Sequence, residues 1–221
     1  MRLNYQTVLF DFDGTLCASG EGITHCVALA LSELGYPVPD EAGLRRFVGP
    51  PAELAYQRFC GMTLEQAQEA VCVFRKHYDQ EGGWKMSHVY PGIPELLRDL
   101  KKAGAQIATA SSKPQPMVEL LLQHMHIAQY FDVFCAAAAD GGQADKAGVI
   151  RRALRLCGVS DPKAAVMIGD TVFDVEGATA VGTPFVGAGY GYAGHAALAA
   201  AGVREIADSP DGLRPYLFRK N

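Results

Sequence analysis

No two cysteines are spaced as Cys-x-x-Cys; the six present, Cys17, Cys26, Cys60, Cys72, Cys135 and Cys157, are scattered along the chain. That spacing argues against a zinc site or a disulfide framework and fits reduced, mostly buried thiols. Positive charge is not in excess either. The formal charge is −4 and the isoelectric point about 5.9, with no basic patch, so a nucleic-acid polymer is not an expected partner. No apolar run approaches the roughly 20 residues that span a bilayer. The first residues carry one arginine and no apolar signal core, so no membrane association is expected and the cytoplasm is the expected location. Repeats and low-complexity linkers are absent. What remains is an ordinary globular composition, 49% hydrophobic and 20% charged over 221 residues. Such a chain buries a sizeable core without staples, as one large domain or a core with an accessory domain. The expected assembly is a monomer or a homodimer.

The informative stretch is Val8-Leu9-Phe10-Asp11-Phe12-Asp13-Gly14-Thr15-Leu16. Val8 to Phe10 reads as a buried strand. Asp11 and Asp13 follow at its C-terminal end, where open α/β sheets place their ligands. Alternation sends both carboxylates to one side, where they repel unless a cation or proton is shared. The rhythm then turns helical. Ile23, Val27, Ala30, Leu31 and Leu34 recur at three- and four-residue steps, and Gly35 ends the run. Asp40 reads as the cap of a short helix, Pro51 as the start of another, and Thr63 to Gln66 as a capping box. Residues 18–85 therefore read as all-helical. From Val89 helices alternate with strands, placed at 106–110, 131–135, 164–169 and 183–186, which predicts a parallel sheet covered on both faces. The expected fold is a doubly wound, Rossmann-like α/β core formed by residues 1–17 and 88–221, with an all-helical cap, residues 18–87, inserted after the first strand. An insertion there is placed to act as a lid.

Four strand ends carry polar side chains: Asp11 and Asp13; Ser111 and Ser112; the region leading to Lys146; and Gly169-Asp170 with Asp174. Each has an ordinary reading by itself. Ser111-Ser112 reads as a helix cap, Lys146 as a surface charge, Asp170-Thr171 as an N-cap with Asp174 a first-turn acid. Lysine at a helix start is nonetheless unfavourable unless an anion sits nearby. Together, in this order at one sheet edge, they make a chemical set. The four carboxylates form a hard-oxygen cluster suited to Mg²⁺, which would offset their repulsion and polarise a phosphoryl group. A hydroxyl and a lysine hold phosphate oxygens. One carboxylate serves as nucleophile and a second, two residues away, protonates the leaving oxygen and then activates water.

On Asp11-Phe12-Asp13-Gly14-Thr15, Ser111, Lys146 and Gly169-Asp170-x-x-x-Asp174, the sequence resembles the haloacid dehalogenase superfamily of phosphohydrolases over essentially its whole length. The resemblance implies Asp11 as nucleophile, Asp13 as general acid and base, and Ser111 and Lys146 as phosphate contacts, with Ser112 beside them. It implies Mg²⁺ held by Asp11, the Asp13 carbonyl and Asp170, with Asp174 direct or through water. Asp13 separates the chain from members that cleave carbon–halogen bonds, which lack the second acid.

The helical insert resembles the small cap of the phosphoglycolate phosphatase-like branch. Phe47-Val48-Gly49-Pro50-Pro51, Tyr90-Pro91-Gly92-Ile93, Ala110-Ser111-Ser112-Lys113-Pro114 and Asp140-Gly141 resemble its 5′-nucleotidase-like subgroup. After Gly189-Tyr190-Gly191-Tyr192 those relatives carry an acidic Glu-Leu pair; here stands Gly194-His195-Ala196-Ala197-Leu198, and His195 is read as a surface or helix-cap residue.

The expected activity is Mg²⁺-dependent hydrolysis of a small phosphorylated metabolite through an aspartyl-phosphate, with nucleoside 5′-monophosphates the leading substrate class. Phosphoglycolate phosphatase, phosphomutase and a non-catalytic phosphate-binding regulatory module are the alternatives. Arg45, Arg46 and Gly49 in the cap are the candidate specificity residues, weighed against a solvated helix face.

Overall fold

The computed structural model describes residues 2–138 and 145–219; Asp140-Gly141 lies outside them. In chain order, β1 (Thr7–Phe10) leads through β2 (Cys17–Ala18) into α1 (Gly20–Glu33), α2 (Glu41–Arg45), α3 (Ala52–Cys60) and α4 (Leu64–Arg75). The chain returns at β3 (His88–Val89), which pairs with β2. Then follow α5 (Ile93–Lys102), β4 (Gln106–Thr109), β5 (Ser111–Pro114), α6 (Gln115–His124), β6 (Ala136–Ala137) and α7 (Lys146–Leu156). The last elements are β7 (Ala165–Gly169), α8 (Val172–Val181), β8 (Phe185–Ala188), α9 (Gly194–Ala200), β9 (Ile206–Ala207) and α10 (Arg214–Leu217). The chain divides into two compact units, Met1–Cys17 with Val89–Asn221, and Ala18–His88.

The first unit is a doubly wound α/β sheet. Its five strands run parallel in the order β4-β1-β7-β8-β9. Phe10 stands in register with Thr109 on one side and Ile168 on the other. The chain steps from β1 to β4, then returns past β1 to lay down β7, β8 and β9. The C-terminal ends of β1 and β7 therefore meet where strand order reverses, the crevice in which such sheets bind ligands. Both faces are covered. Leu9, Ala108 and Met167 pack with Val149, Ile150 and Ala153 of α7 and Ala178 of α8. Val8, Phe10, Ile107, Val166 and Ile168 alternate to the other face and are equally buried. The apolar stripe of α5, Ile93, Leu96, Leu97 and Leu100, has no exposed surface. At about 2 kcal/mol per large aliphatic side chain, that burial fixes the helix far better than its propensity does.

Three segments depart from the sequence reading, the first being Ser111-Ser112, which lies in β5 while the following helix is capped at Pro114 instead. The segment 131–135 does not form a continuous strand: Val133 bridges Ala108, and regular pairing starts only at β6. Backbone bonds still join the segment to β4, Asp132 N to Ile107 O at 2.8 Å and Thr109 N to Val133 O at 3.1 Å, but polar side chains take the places between them. Thr109 Oγ1 donates to Cys135 O at 2.9 Å and accepts from Cys135 N at 2.8 Å, and Asp132 Oδ2 accepts from Ile107 N at 2.8 Å. The strand expected at 183–186 starts two residues later, at Phe185, because Thr183 N still bonds back to Ala178 O and Pro184 has no N–H to give.

The second unit is helical. Asp40 caps α2 by accepting from Gly43 N at 2.8 Å. Thr63 and Gln66 close a capping box at α4, an arrangement worth about 1 kcal/mol. After Arg75 the helix widens into a π-turn, Lys76–Gln80. Tyr56 and Tyr78 are fully buried. Phe47 meets Tyr56 and Phe59 edge-on at 5.2 and 5.4 Å, and Phe74 stacks on Tyr78. These aromatics build the unit's core. The six cysteines are all free, but only Cys17, Cys26 and Cys135 are buried; Cys60 and Cys157 are half-buried and Cys72 is exposed. No helix among the described residues is long and apolar enough to cross a membrane.

Candidate active site

Asp11 leaves the end of β1 and Asp170 the end of its neighbour β7, with Asp174 one turn into the helix that follows. Lys146 is the first residue of α7. These four meet in a buried cluster. Lys146 Nζ donates to Asp11 Oδ1 at 2.6 Å and stands 2.6 Å from Asp174 Oδ1. The second contact is a buried ion pair at the same distance as the first. The lysine that looked misplaced at a helix start thus sits between two anions. Gly177 of α8 gives its stem room, since a Cβ there would lie 2.8 Å from Lys146 Cγ.

Asp174 is held by its own helix: Thr171 N and Oγ1 donate to its Oδ2 at 3.0 and 2.7 Å. Asp170 accepts from Thr15 Oγ1 at 3.3 Å and from Tyr192 N at 2.8 Å. Tyr190 donates its hydroxyl to Thr15 O at 2.9 Å and packs edge-on against Tyr90, tying the turn after β1 to the loop after β8.

Carboxylate oxygens of Asp11, Asp170 and Asp174 lie within 4.8 Å of one another. With one ammonium among them, the ionised cluster carries two negative charges in excess. Burial pushes the Asp11 carboxyl up to about 7, against the pull of Lys146 and with Asp174 adding to the rise. Burial and then the Asp174 and Asp11 charges push Asp170 well above the carboxylate range. Burial disfavours the Lys146 charge, but its two acidic partners outweigh that and raise its pKa. Three buried carboxylates sharing a single ammonium are a fitting donor set for a hard divalent cation.

Asp13 lies two residues on, in a separate contact. Lys113 Nζ is 3.1 Å from each of its carboxylate oxygens. Ser111 follows β4, the strand beside β1, and is buried; its hydroxyl oxygen accepts from Lys113 N at 3.2 Å. Ser112 comes next, half-buried.

Lys113, Thr15, Thr171, Tyr190 and the Gly191-Tyr192 amide were given no role in the site from sequence. The signal for Lys113 was its place directly after the two serines. Gly14 has φ +81°, and a Cβ on Gly14 or on Gly191 would collide with Asp170. Gly14→Ala combines a left-handed backbone penalty of about 1 kcal/mol with that collision. It is expected to lower Tm by at least about 3 °C and to cut activity sharply. Gly202→Ala has the same backbone sign, φ +88°, but open space around it, and serves as control; equal losses in the two would show that Asp170 is not crowded.

The candidate specificity residues belong to the other unit. Arg45 pairs with Glu41 at 2.7 Å on an exposed helix face. The Arg46 guanidinium lies 4.2 Å from the centre of the Phe59 ring. Gly49 takes φ +106°. His195 pairs with Asp208 at 2.7 Å on the exposed surface of α9, in keeping with a surface role.

Residues 8–188 match the model of the haloacid dehalogenase-like hydrolases, and the chain belongs to that family. Tyrosine-protein kinase PtkA of Mycobacterium tuberculosis is 39% identical over 188 residues, 85% of this chain. The chain spans only 63% of that relative's length. A solved structure of PtkA superposes with a TM-score of 0.82 at 36% identity, covering 96% of this chain and 97% of that one. A 5′-nucleotidase of Pseudomonas aeruginosa is 35% identical over 190 residues, 86% of this chain and 85% of its own. A phosphoglycolate phosphatase of Cupriavidus necator is 30% identical over 218 residues, 95% and 92% of the two chains.

Proposed function

We propose that this protein is a cytoplasmic, Mg²⁺-dependent phosphomonoesterase that works through an aspartyl-phosphate, with the unit Ala18–His88 as its cap domain. The observation that carries the reading is the division of labour among the acids. Asp11 is locked with Lys146 in the metal-type cluster, while Asp13, two residues on, is held apart from it by Lys113. Asp11 Oδ attacks phosphorus and the ester P–O bond breaks. The leaving alkoxide takes a proton from Asp13. Water then attacks the phosphorus of the aspartyl-phosphate and gives a proton back to Asp13 as the Asp11–phosphorus link breaks, so both acids return to their starting state. Ser111 and Lys146 bind phosphate oxygens, with Ser112 beside them. Asp11, Asp170 and the Asp13 carbonyl would hold Mg²⁺, with Asp174 direct or through water, and the ion would supply charge neutralisation at the phosphoryl group.

The preferred substrates are nucleoside 5′-monophosphates, supported by the 35% identical 5′-nucleotidase; phosphoglycolate is the second choice, supported by the 30% identical phosphoglycolate phosphatase. Another reading is favoured by the PtkA relative: transfer of the phosphoryl group from a nucleotide donor to a tyrosine hydroxyl instead of water. One panel separates them. Phosphate release in Mg²⁺ is measured from nucleoside monophosphates, phosphoglycolate, sugar phosphates and an aryl phosphate, beside ATP with a tyrosine-containing acceptor. The expected result is the highest kcat/KM on a nucleoside monophosphate. Preference for phosphoglycolate would transfer the assignment to that acid. Phosphotyrosine formation without phosphate release would replace hydrolysis by transfer.

A further inference from the structure

We infer that Lys113 is the positioning residue for the acid–base carboxylate, a role that rests on the hydrolytic reading above. Its ammonium is equidistant, 3.1 Å, from the two oxygens of Asp13, so it sits on the bisector of the carboxylate. Placed there it orients the group toward the phosphate-binding segment, so that in its acid form the proton that a leaving-group oxygen takes lies on the side away from the ammonium. Both side chains are largely buried, 7% and 14% exposed, which gives the contact weight that surface ion pairs lack. The same residue acts a second time through its backbone. Lys113 N donates to Ser111 Oγ, which occupies an oxygen lone pair and leaves the hydroxyl proton for a phosphate oxygen. One residue thus sets both the group that meets the phosphate and the group that meets the leaving oxygen, although Asp13 and Lys113 are 100 positions apart. The segment is itself pinned, Ser111 and Pro114 of β5 pairing with Ala136 and Ala137. The side chain of residue 113 alone carries the Asp13 contact, so it can be removed without disturbing the Ser111 one.

The test reads leaving-group dependence. Transfer from an alkyl phosphate needs a proton delivered to a poor leaving group; transfer from p-nitrophenyl phosphate needs little. Values of kcat/KM, which report through formation of the aspartyl-phosphate, are measured in Mg²⁺ on both substrates for the wild type, Asp13→Asn, Lys113→Met, Lys113→Arg and the Asp13→Asn/Lys113→Met pair. Asp13→Asn is expected to lose more on the alkyl than on the aryl phosphate. Lys113→Met should show the same asymmetry, by about 10-fold or more. Lys113→Arg should recover part of it, and the pair should be no more asymmetric than Asp13→Asn alone. If Lys113→Met does not fold, Lys113→Gln carries the same comparison. Equal losses on both substrates, with Asp13→Asn asymmetric, would overturn the role of Lys113 and leave the phosphatase reading standing. A wild type inactive on both substrates, or a symmetric Asp13→Asn, would overturn both.

Discussion

Replacing Asp11 with Asn is expected to lower kcat/KM by at least about 1,000-fold, the scale seen when a covalent nucleophile is removed, while the metal-free protein becomes more stable above neutral pH. The two effects share one cause. Asp11 is buried beside Asp174 and Asp170 with a single ammonium between them, and its carboxyl titrates near 7 instead of near 3.8. Ionising it in the folded state therefore costs on the order of 4 kcal/mol relative to the unfolded chain. The amide carries no charge, keeps an oxygen to accept from Lys146 Nζ, and leaves the Lys146–Asp174 pair in place. At pH 8 and without divalent cation, Asp11→Asn should melt at least about 4 °C higher than the wild type; near pH 5, where the wild-type carboxyl is protonated, the difference should shrink. Thermal melts at the two pH values and a phosphate-release assay check both halves. Residual turnover above about 1% of wild type would remove Asp11 from the nucleophile's role, and a lower Tm at pH 8 would show that its charge is compensated by something other than a metal.

Much of the fold was legible because local signals and the sheet agreed. The apolar runs that became β1 and β7 are buried on both faces, and runs of that kind have few alternatives. Asp40 and the Thr63–Gln66 pair announced helix starts that the structure places one residue on. The helical insert was visible as a change of rhythm between residues 18 and 88. What failed were strand limits governed by side chains. Nothing in Phe131 to Cys135 says that Thr109, some 26 positions away, will take the Cys135 amide with its hydroxyl. The late start of β8 turns on Pro184, whose missing N–H matters only once the neighbouring strand is known.

The acids of the candidate site were legible for a different reason. Carboxylates at the ends of buried strands are costly unless they are used, so Asp11, Asp13, Asp170 and Asp174 drew notice as residue types in place. Lys146 drew notice as a cation at the wrong end of a helix, and its two anionic neighbours explain it. Residues whose meaning lies in a partner far along the chain stayed hidden. Lys113 reads as a surface charge until Asp13 is beside it, and Gly191 as an ordinary loop glycine until the Asp170 side chain occupies the space its Cβ would need. Sequence order revealed the acids and the lysine better than it revealed what holds them still.

Mg²⁺ should stabilise the protein strongly at pH 8 and weakly at pH 5, and chelation should abolish turnover. The folded-state carboxyls of Asp11 and Asp170 are raised above their unfolded values. Between the two values the folded state binds more protons than the unfolded one, so stability is greatest below the unfolded pKa, near 3.8, and is lost as pH climbs. For Asp11 that loss is complete above about 7. A divalent cation bound by the same oxygens replaces the protons and cancels the repulsion. At 100 times its dissociation constant it adds about 2.7 kcal/mol, which for a chain of this size is about 5–10 °C in Tm. At pH 5 the cation must first displace protons, so its apparent affinity and the shift fall together. Calorimetric titration near pH 6 in buffers of different ionisation heat should accordingly register net proton release on Mg²⁺ binding. Asp170→Asn should blunt both the Tm shift and the proton release, because it removes one oxygen donor and one raised carboxyl at once. A Tm shift of equal size at pH 5 and pH 8, or none at either, would sever the buried acids from the metal, and activity that survives chelation would sever the metal from the reaction.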